Sequence, residues 1–310
     1  MTRALIVGIH SFVGRHLARA LASRNVEVVG TARVVSATEA VPYTVRTCDL
    51  TDAGEVDALL AACTPDWVIN TAGATTVRDP LPMYALHVRG TLNLLSAVAK
   101  HAQHSAVVLL GSAAEYGPAV AERLPVQESC PACPNSFFGA SKLAQTQAAL
   151  VAAATWQLRI TCLRPFNILG PELPTHYMPS AFAARLRAAD RSEPLTLVNG
   201  HATRDFVDVR DVAEAICRCA EHPPQPGVGE VYNVASGIEV RIDQVARYLC
   251  ALAGGYEVQD CGNADSRSGV SRSCGNAQKL KNATGWRTSI GWQQSLRDMW
   301  EVCEPSAAAT

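Results

Sequence analysis

The sequence predicts an α/β protein, a doubly wound parallel sheet with a smaller mixed α/β domain attached. Three observations predict it. Short, largely apolar runs recur from the start: ALIVG (4–8), VEVVG (26–30), DWVIN (66–70), AVVLLG (106–111) and QLRITCLRP (157–165). Segments of helical period lie between them, near 12–23, 52–62, 82–103 and 136–154. The strand-like runs lack the polar alternation of a half-exposed sheet, which fits strands covered by helices on both faces.

The first run ends in GIHSFVG, Gly8 to Gly14, which opens directly into a helical pattern. Glycines in such a turn let the backbone approach a pyrophosphate, and the helix N-terminal amides bind its charge. Gly8, Ser11, Phe12, Val13 and Gly14 are therefore candidate cofactor contacts in a Rossmann-like domain, with Ser11 standing where the middle glycine usually is. The second run closes in VVGTAR without an acid that could hold a ribose 2′-hydroxyl, whereas Arg33 suits a 2′-phosphate. NADP(H) is accordingly favoured over NAD(H). Asp49 and Leu50 in CDLTD fall at the adenine end, and Thr71, Ala72 and Gly73 form a small turn against which the cofactor can lie.

Beyond the fifth run, which ends at Pro165, the order loosens into the Pro-rich RPFNILGPELPTHYMPS and a helical AFAARLRAAD (181–190). LTLV and RDFVDV read as strands, 211–221 as a helix, and EVYNVAS as another strand after the turn HPPQPGVG. Residues 1–165 together with about 206–236 are expected to form the dinucleotide-binding domain. Residues 166–205 with 237–310 are expected to form the substrate-binding domain. The tail EPSAAAT reads as frayed.

Length and composition narrow the function classes. At 310 residues and 48% hydrophobic, the chain can bury a large core. A net charge of −1 without a basic block argues against nucleic acid and acidic membrane surfaces. No run reaches the length of a membrane span, and the apolar start is too short for a signal peptide, so a cytoplasmic location is expected. Eleven scattered cysteines suit buried free thiols better than a disulfide framework. CPAC (130–133) has no second Cys or His pair beside it, and no metal is expected.

Nine segments then combine: GIHSFVG, CDLTD, NTAG, HVRGTLNLL, GSAAEYG, FFGASK, RPFNILGP, RDFVDVRDVA and YNVASG. In their order they resemble the extended short-chain dehydrogenase/reductase family, in its nucleotide-sugar epimerase, dehydratase and reductase branch. The resemblance implies that Lys142 holds the nicotinamide ribose and lowers the pKa of a catalytic tyrosine four residues earlier. It implies that Ser112 binds the reacting sugar oxygen and that Pro165 lies along the cofactor. Glu115, Asn167 and Arg204 would face the substrate, Arg204 bonding its diphosphate as a permanent, bidentate cation. An ion pair of Arg204 with Asp205 or Asp208 is the structural alternative. Arg267 or Arg272 would be a second cation, and His176, Tyr177 and Met178 fall at the nucleotide or sugar loop. The family also implies a homodimer through the helices near 82–103 and 136–154.

Sugar 4,6-dehydratases of this branch carry acids just after the Ser/Thr, where this chain has Ala113 and Ala114. Elimination of water needs such a pair, so dehydration is disfavoured. The Glu115-Tyr116-Gly117 run resembles GDP-4-keto-6-deoxymannose reductases. The expected reaction is NADPH-dependent reduction of a nucleotide-linked 4-keto-6-deoxyhexose, with 4-epimerisation as the alternative.

One position departs from the family. Where the tyrosine should stand the chain has Phe138, which keeps the ring but carries no transferable proton. Three explanations follow: an engineered Tyr→Phe variant, a natural enzyme using another donor such as Tyr116, His176, Tyr177 or a water on Ser112, or a catalytically silent nucleotide-binding protein.

Overall fold

The computed structural model describes residues 1–34, 43–74, 79–118, 122–188, 195–260, 262 and 271–303; Arg267 and the tail EPSAAAT lie outside them. The first half comprises β1 (Arg3–Val7), α1 (Phe12–Ala22), β2 (Glu27–Ala32), β3 (Thr44–Thr47), α2 (Ala53–Cys63), β4 (Trp67–Asn70), α3 (Pro80–Tyr84), α4 (Gly90–His101), β5 (Ala106–Leu110), α5 (Phe137–Trp156) and β6 (Arg159–Pro165). The second comprises β7 (Asn167–Leu169), α6 (Met178–Ala188), β8 (Leu195–Leu197), β9 (Thr203–Asp208), α7 (Val209–Glu221), β10 (Gly229–Val234), β11 (Glu239–Arg241), α8 (Ile242–Leu252), β12 (Val258–Asp260), α9 (Gln278–Thr284) and α10 (Trp292–Val302).

Seven parallel strands form the main sheet in the order β10-β6-β5-β4-β1-β2-β3. The direction of winding reverses between β1 and β4, which opens a crevice at the carboxyl ends of those strands. The apolar composition of β1 has a direct cause. Ala4 and Ile6 pack under α1 and α7, while Leu5 and Val7 pack under α2, α4 and α5 on the opposite face. A smaller unit carries a three-stranded sheet, β11-β9-β7, and the β12-β8 pair. Phe182, Leu186, Leu249, Leu296 and Met299 fill its core.

Residues 277–290 depart from the expected division. Leu280 and Trp286 join the core under α1 and α7. The Trp286 indole donates to the Asp211 carbonyl at 2.8 Å, and the Asp211 carboxylate takes the Ser289 hydroxyl and the amides of Ser289 and Ile290. The helix read over 82–103 runs continuously from Pro80 to His101, with one irregular turn inside it. A π-turn over Ala85–Arg89 joins α3 to α4, and such bulges commonly serve functional sites.

The loop after β5 is held from beneath by charge. Glu115 is 0% exposed and accepts from Arg164 Nε at 2.8 Å, the Ser112 amide at 3.0 Å and the Thr146 hydroxyl at 3.2 Å. Burial pushes its carboxyl upward, opposed by Arg164 and these hydrogen bonds. Arg164 also donates to the Tyr116 hydroxyl, which donates in turn to Asn233 Oδ1 at 2.7 Å. The network ties β6, β10 and the Ser112 turn into one body. Arg164→Met leaves Glu115 buried without its cation and should destabilise the fold by about 3–5 kcal/mol in urea unfolding. Adding Glu115→Gln to it should recover part of that loss; a single variant as stable as the native chain would contradict the role given to the pair.

Candidate active site

At the mouth of the crevice, two backbone turns touch. Gly8 has φ +80, and a Cβ there would come within 2.7 Å of Ala72 Cα. A Cβ on Gly14 would meet the Gly8 carbonyl at 2.5 Å. The cradle is thus closed to side chains at both glycines, which fits a dinucleotide pyrophosphate lying on bare backbone. Ser11 caps α1 by accepting from the Gly14 amide at 3.0 Å, and its hydroxyl donates to Thr71 Oγ1 at 3.1 Å. Thr71 is in turn bonded to the Val7 and Gly8 carbonyls. Ser11 and Thr71 therefore spend their side chains on joining the two turns. The amides of Phe12 and Val13, ahead of the helical ladder, donate to no group among the described residues.

At the adenine end, Asp49 is fixed by the amide and hydroxyl of Thr51, both at 2.8 Å. Those bonds, with Arg33 and Arg89 nearby, hold its carboxyl below the usual range. Arg33 is exposed just past the end of β2. The expectation for Leu50 needs correction. Its side chain is 4% exposed and packs against Gly90, and its carbonyl accepts from Asn93, so its side chain faces the core and not the crevice.

The reactive end is assembled by α5. Ser136 caps that helix through the Gly139 amide, fixing where it starts, and a spacing of four puts Phe138 and Lys142 on one face. Lys142 is 4% exposed; Nζ donates to the Leu110 carbonyl at 2.8 Å and to Gln145 Oε1 at 3.0 Å. It also lies 3.8 Å from where a Gly73 Cβ would be. The ammonium thus spans the carboxyl ends of β4 and β5. Burial pushes its pKa down to about 8, against the pull of Glu115 and Cys162. Ser112 Oγ accepts from the Ala114 amide at 3.1 Å, so its hydrogen remains to be donated.

His87 is a site residue that the motifs did not reveal. It lies in the π-turn, 1% exposed, and its ring stands 5.9 Å from that of Phe138, edge to face. The Ala74 amide donates to Nε2 at 3.1 Å, so Nδ1 carries the proton and donates to Ser141 Oγ at 2.9 Å. Ser141 passes the chain on to the Phe138 carbonyl at 2.8 Å. Burial, reinforced by Lys142, lowers the His87 pKa to about 3, leaving it neutral. A signal was available: His87 falls on the apolar stripe formed by Met83, Thr91, Leu94 and Val98, where a histidine is out of place.

On the substrate side, Asn167 at the start of β7 donates to the Asp205 carbonyl at 3.2 Å, which ties it to β9. Arg204 is half-buried on β9, and among the described residues its guanidinium donates to the Thr203 carbonyl alone, at 2.8 Å. The alternative ion pair is absent. Asp205 accepts from Ser236, Gly237 and Gly275, and Asp208 is taken by Arg210 and Ser295. Burial alone lowers the Arg204 pKa. Glu115 must be corrected: completely buried on Arg164, it positions the Ser112 turn and does not face the crevice. Tyr116 is withdrawn as a donor, because it is 1% exposed and its hydrogen is committed to Asn233. His176 and Tyr177 stack at 4.2 Å on an exposed loop, Arg272 is paired with Glu239, and Pro165 closes β6, buried opposite Val234.

Known proteins resemble this chain in sequence and fold. The profile of the NAD dependent epimerase/dehydratase family matches residues 4–235. A GDP-6-deoxy-D-mannose reductase of Pseudomonas aeruginosa is 30% identical over 96% of this chain and 97% of its own length. A dTDP-6-deoxy-L-talose 4-dehydrogenase (NAD(P)(+)) of Kitasatospora kifunensis is 31% identical over 96% and 94%. Among solved structures, RMD of Pseudomonas aeruginosa complexed with NADPH superposes with a TM-score of 0.81 at 28% identity, covering 98% of this chain and 99% of its own. The UDP-glucose 4-epimerase of Thermus thermophilus complexed with NAD reaches 0.85 at 27%, covering 99% and 100%. The crevice of paired glycine turns, with Ser112 and Lys142 at its end, is thus that of a Rossmann-like pyridine-nucleotide fold, and the chain belongs to the NAD-dependent epimerase/dehydratase family, whose relatives here are oxidoreductases and epimerases of nucleotide sugars.

Proposed function

We propose that the chain reduces the 4-keto group of a nucleotide-linked 6-deoxyhexose, with NADPH as hydride source. Arg204 carries the reading. A half-buried guanidinium with no acid beside it among the described residues is costly unless an anion completes it, and a sugar-nucleotide diphosphate does so with matching geometry. The likeness to the GDP-6-deoxy-D-mannose reductase supports the substrate class. Ala113 and Ala114 on the turn after Ser112 supply no acid–base pair for dehydration. Arg33, exposed after β2 with no acid in VVGTAR, supports NADP(H) over NAD(H).

The chain's own groups divide the work. The Gly8–Gly14 turn and the Phe12 and Val13 amides bind pyrophosphate, Lys142 and Gly73 bound the nicotinamide end, and the Ser112 hydroxyl orients the sugar oxygen. Reduced nicotinamide supplies hydride to the carbonyl carbon. The proton for the oxygen has no phenol to come from, and losing a positioned acid typically lowers the rate by about 10²–10⁴-fold.

A second reading, 4-epimerisation, is supported by the likeness to UDP-glucose 4-epimerase along the whole chain. The homodimer also remains a proposal. Leu81, Leu92, Phe137 and Val151 are 72%, 38%, 66% and 65% exposed on α3, α4 and α5, a surface that a second copy would cover.

Phe138→Tyr should raise NADPH oxidation with a 4-keto-6-deoxyhexose nucleotide by about 10²–10⁴-fold, and mass spectrometry should find a product two hydrogens heavier. Isomerised sugar with NADPH unconsumed would favour the epimerase, and no hydride transfer with either residue would favour a silent binding protein. Arg204→Ala should weaken binding of the sugar nucleotide by about 10–100-fold and leave NADPH binding unchanged in fluorescence titration; equal loss of both would remove Arg204 from the substrate site.

A further inference from the structure

Resting on the reductase reading, we propose that Lys142 is itself the proton donor in this chain, its ammonium protonating the reduced carbonyl oxygen directly or through one water held by Ser112. Among the described residues, the groups packed around Nζ offer no better acid. Of the three ammonium hydrogens, two are taken by the Leu110 carbonyl and Gln145 Oε1, and the third has no acceptor among the described residues. Nζ stands 3.8 Å from where a Gly73 Cβ would be, and its bond to the Leu110 carbonyl holds it two residues upstream of Ser112.

The neighbouring groups are excluded one by one. His87 is neutral, its single N–H is spent on Ser141, and that relay ends on the Phe138 carbonyl, so the histidine locks the first turn of α5 and offers no proton. Tyr116 gives its hydrogen to Asn233. Phe138 packs edge to face on His87 and presents only carbon. A phenol at this position would draw on the lysine charge; a phenyl ring does not, which leaves the ammonium as the acid for the reacting oxygen.

The step balances. Hydride forms the new C–H bond while one Lys142 N–H bond breaks and the O–H bond forms, leaving a neutral amine that regains a proton from water. The titratable groups facing Nζ are Glu115 after β5, Cys162 on β6 and His87 on the π-turn. Burial outweighs the first two and brings the ammonium to about 8, close to the working range of a general acid. An acid must be protonated to act, so kcat/KM should be level below that value and fall as pH rises through it.

The chain has four lysines, so the titration can be followed directly with ¹³Cε-labelled lysine in the protein without cofactor. We expect one resonance to titrate near pH 8 and to vanish in Lys142→Arg, which keeps the charge but cannot release a proton. At saturating NADPH, with its affinity titrated alongside, that variant should turn over about 10²–10⁴-fold more slowly. Small primary amines should restore turnover to Lys142→Ala, with efficiency following amine pKa. Adding Phe138→Tyr to Lys142→Arg should return activity with a different pH profile. Lys142→Arg turning over at the native rate, no lysine titrating near 8, or amines without effect would each overturn the assignment. A silent native chain beside an active Phe138→Tyr would overturn it and leave the reductase reading standing; silence in both would end both.

Discussion

Two backbone turns in contact, with no side chain between them, set the geometry on which the site depends. Gly8 and Ala72 approach so closely that a methyl group at position 8 would overlap the second turn. Thr71 and Ser11 bind the same two segments through hydroxyls and carbonyls. This contact sits where the winding of the sheet reverses, the one place where strand ends diverge and open a crevice. The candidate site residues are placed from it: Gly73 follows the turn, Lys142 and His87 face Gly73, and Phe138 faces His87.

Charge is buried in this protein according to what each charge does. Glu115 and Arg164 are buried as a pair, with further hydrogen bonds to the Ser112 amide, Thr146 and Tyr116, and serve as scaffolding. Among the described residues, Lys142 and Arg204 have no carboxylate at ion-pair distance, and burial lowers the pKa of each. A cation left uncompensated in a low-dielectric setting is unfavourable in the free protein and becomes favourable once a polar or anionic ligand arrives. The two lie on different units, Lys142 on α5 of the nucleotide side and Arg204 on β9 of the smaller unit, so one ligand spanning both would engage each.

Phe138, standing where the resemblance expects a tyrosine, is half-buried and has partners of its own. The ring of Phe138 has an aromatic partner in His87, and its carbonyl receives the hydrogen bond that ends the His87–Ser141 relay. Histidine within a π-turn is thus part of what fixes the helix carrying Lys142. A phenyl ring at this position carries no transferable proton, while its carbonyl still takes part in the frame.

The sequence alone determined the doubly wound sheet, because strands buried on both faces must be apolar along their whole length, as β1 is on its two sides. It also determined the glycine turn, Ser112, Lys142 and the missing phenol, since these rest on local spacing along one strand end or one helix face. Short elements such as β3 and β7 escaped it, being an exposed edge strand and a three-residue strand with too little periodicity to register. Tertiary structure alone decided the roles of Glu115, Leu50, Tyr116 and His87. Nothing in GSAAEYG says that Glu115 turns inward to Arg164, 49 residues away, or in HVRG that His87 reaches Ser141, 54 residues away. A side chain's chemistry follows from what surrounds it, and those surroundings are assembled only when distant segments pack.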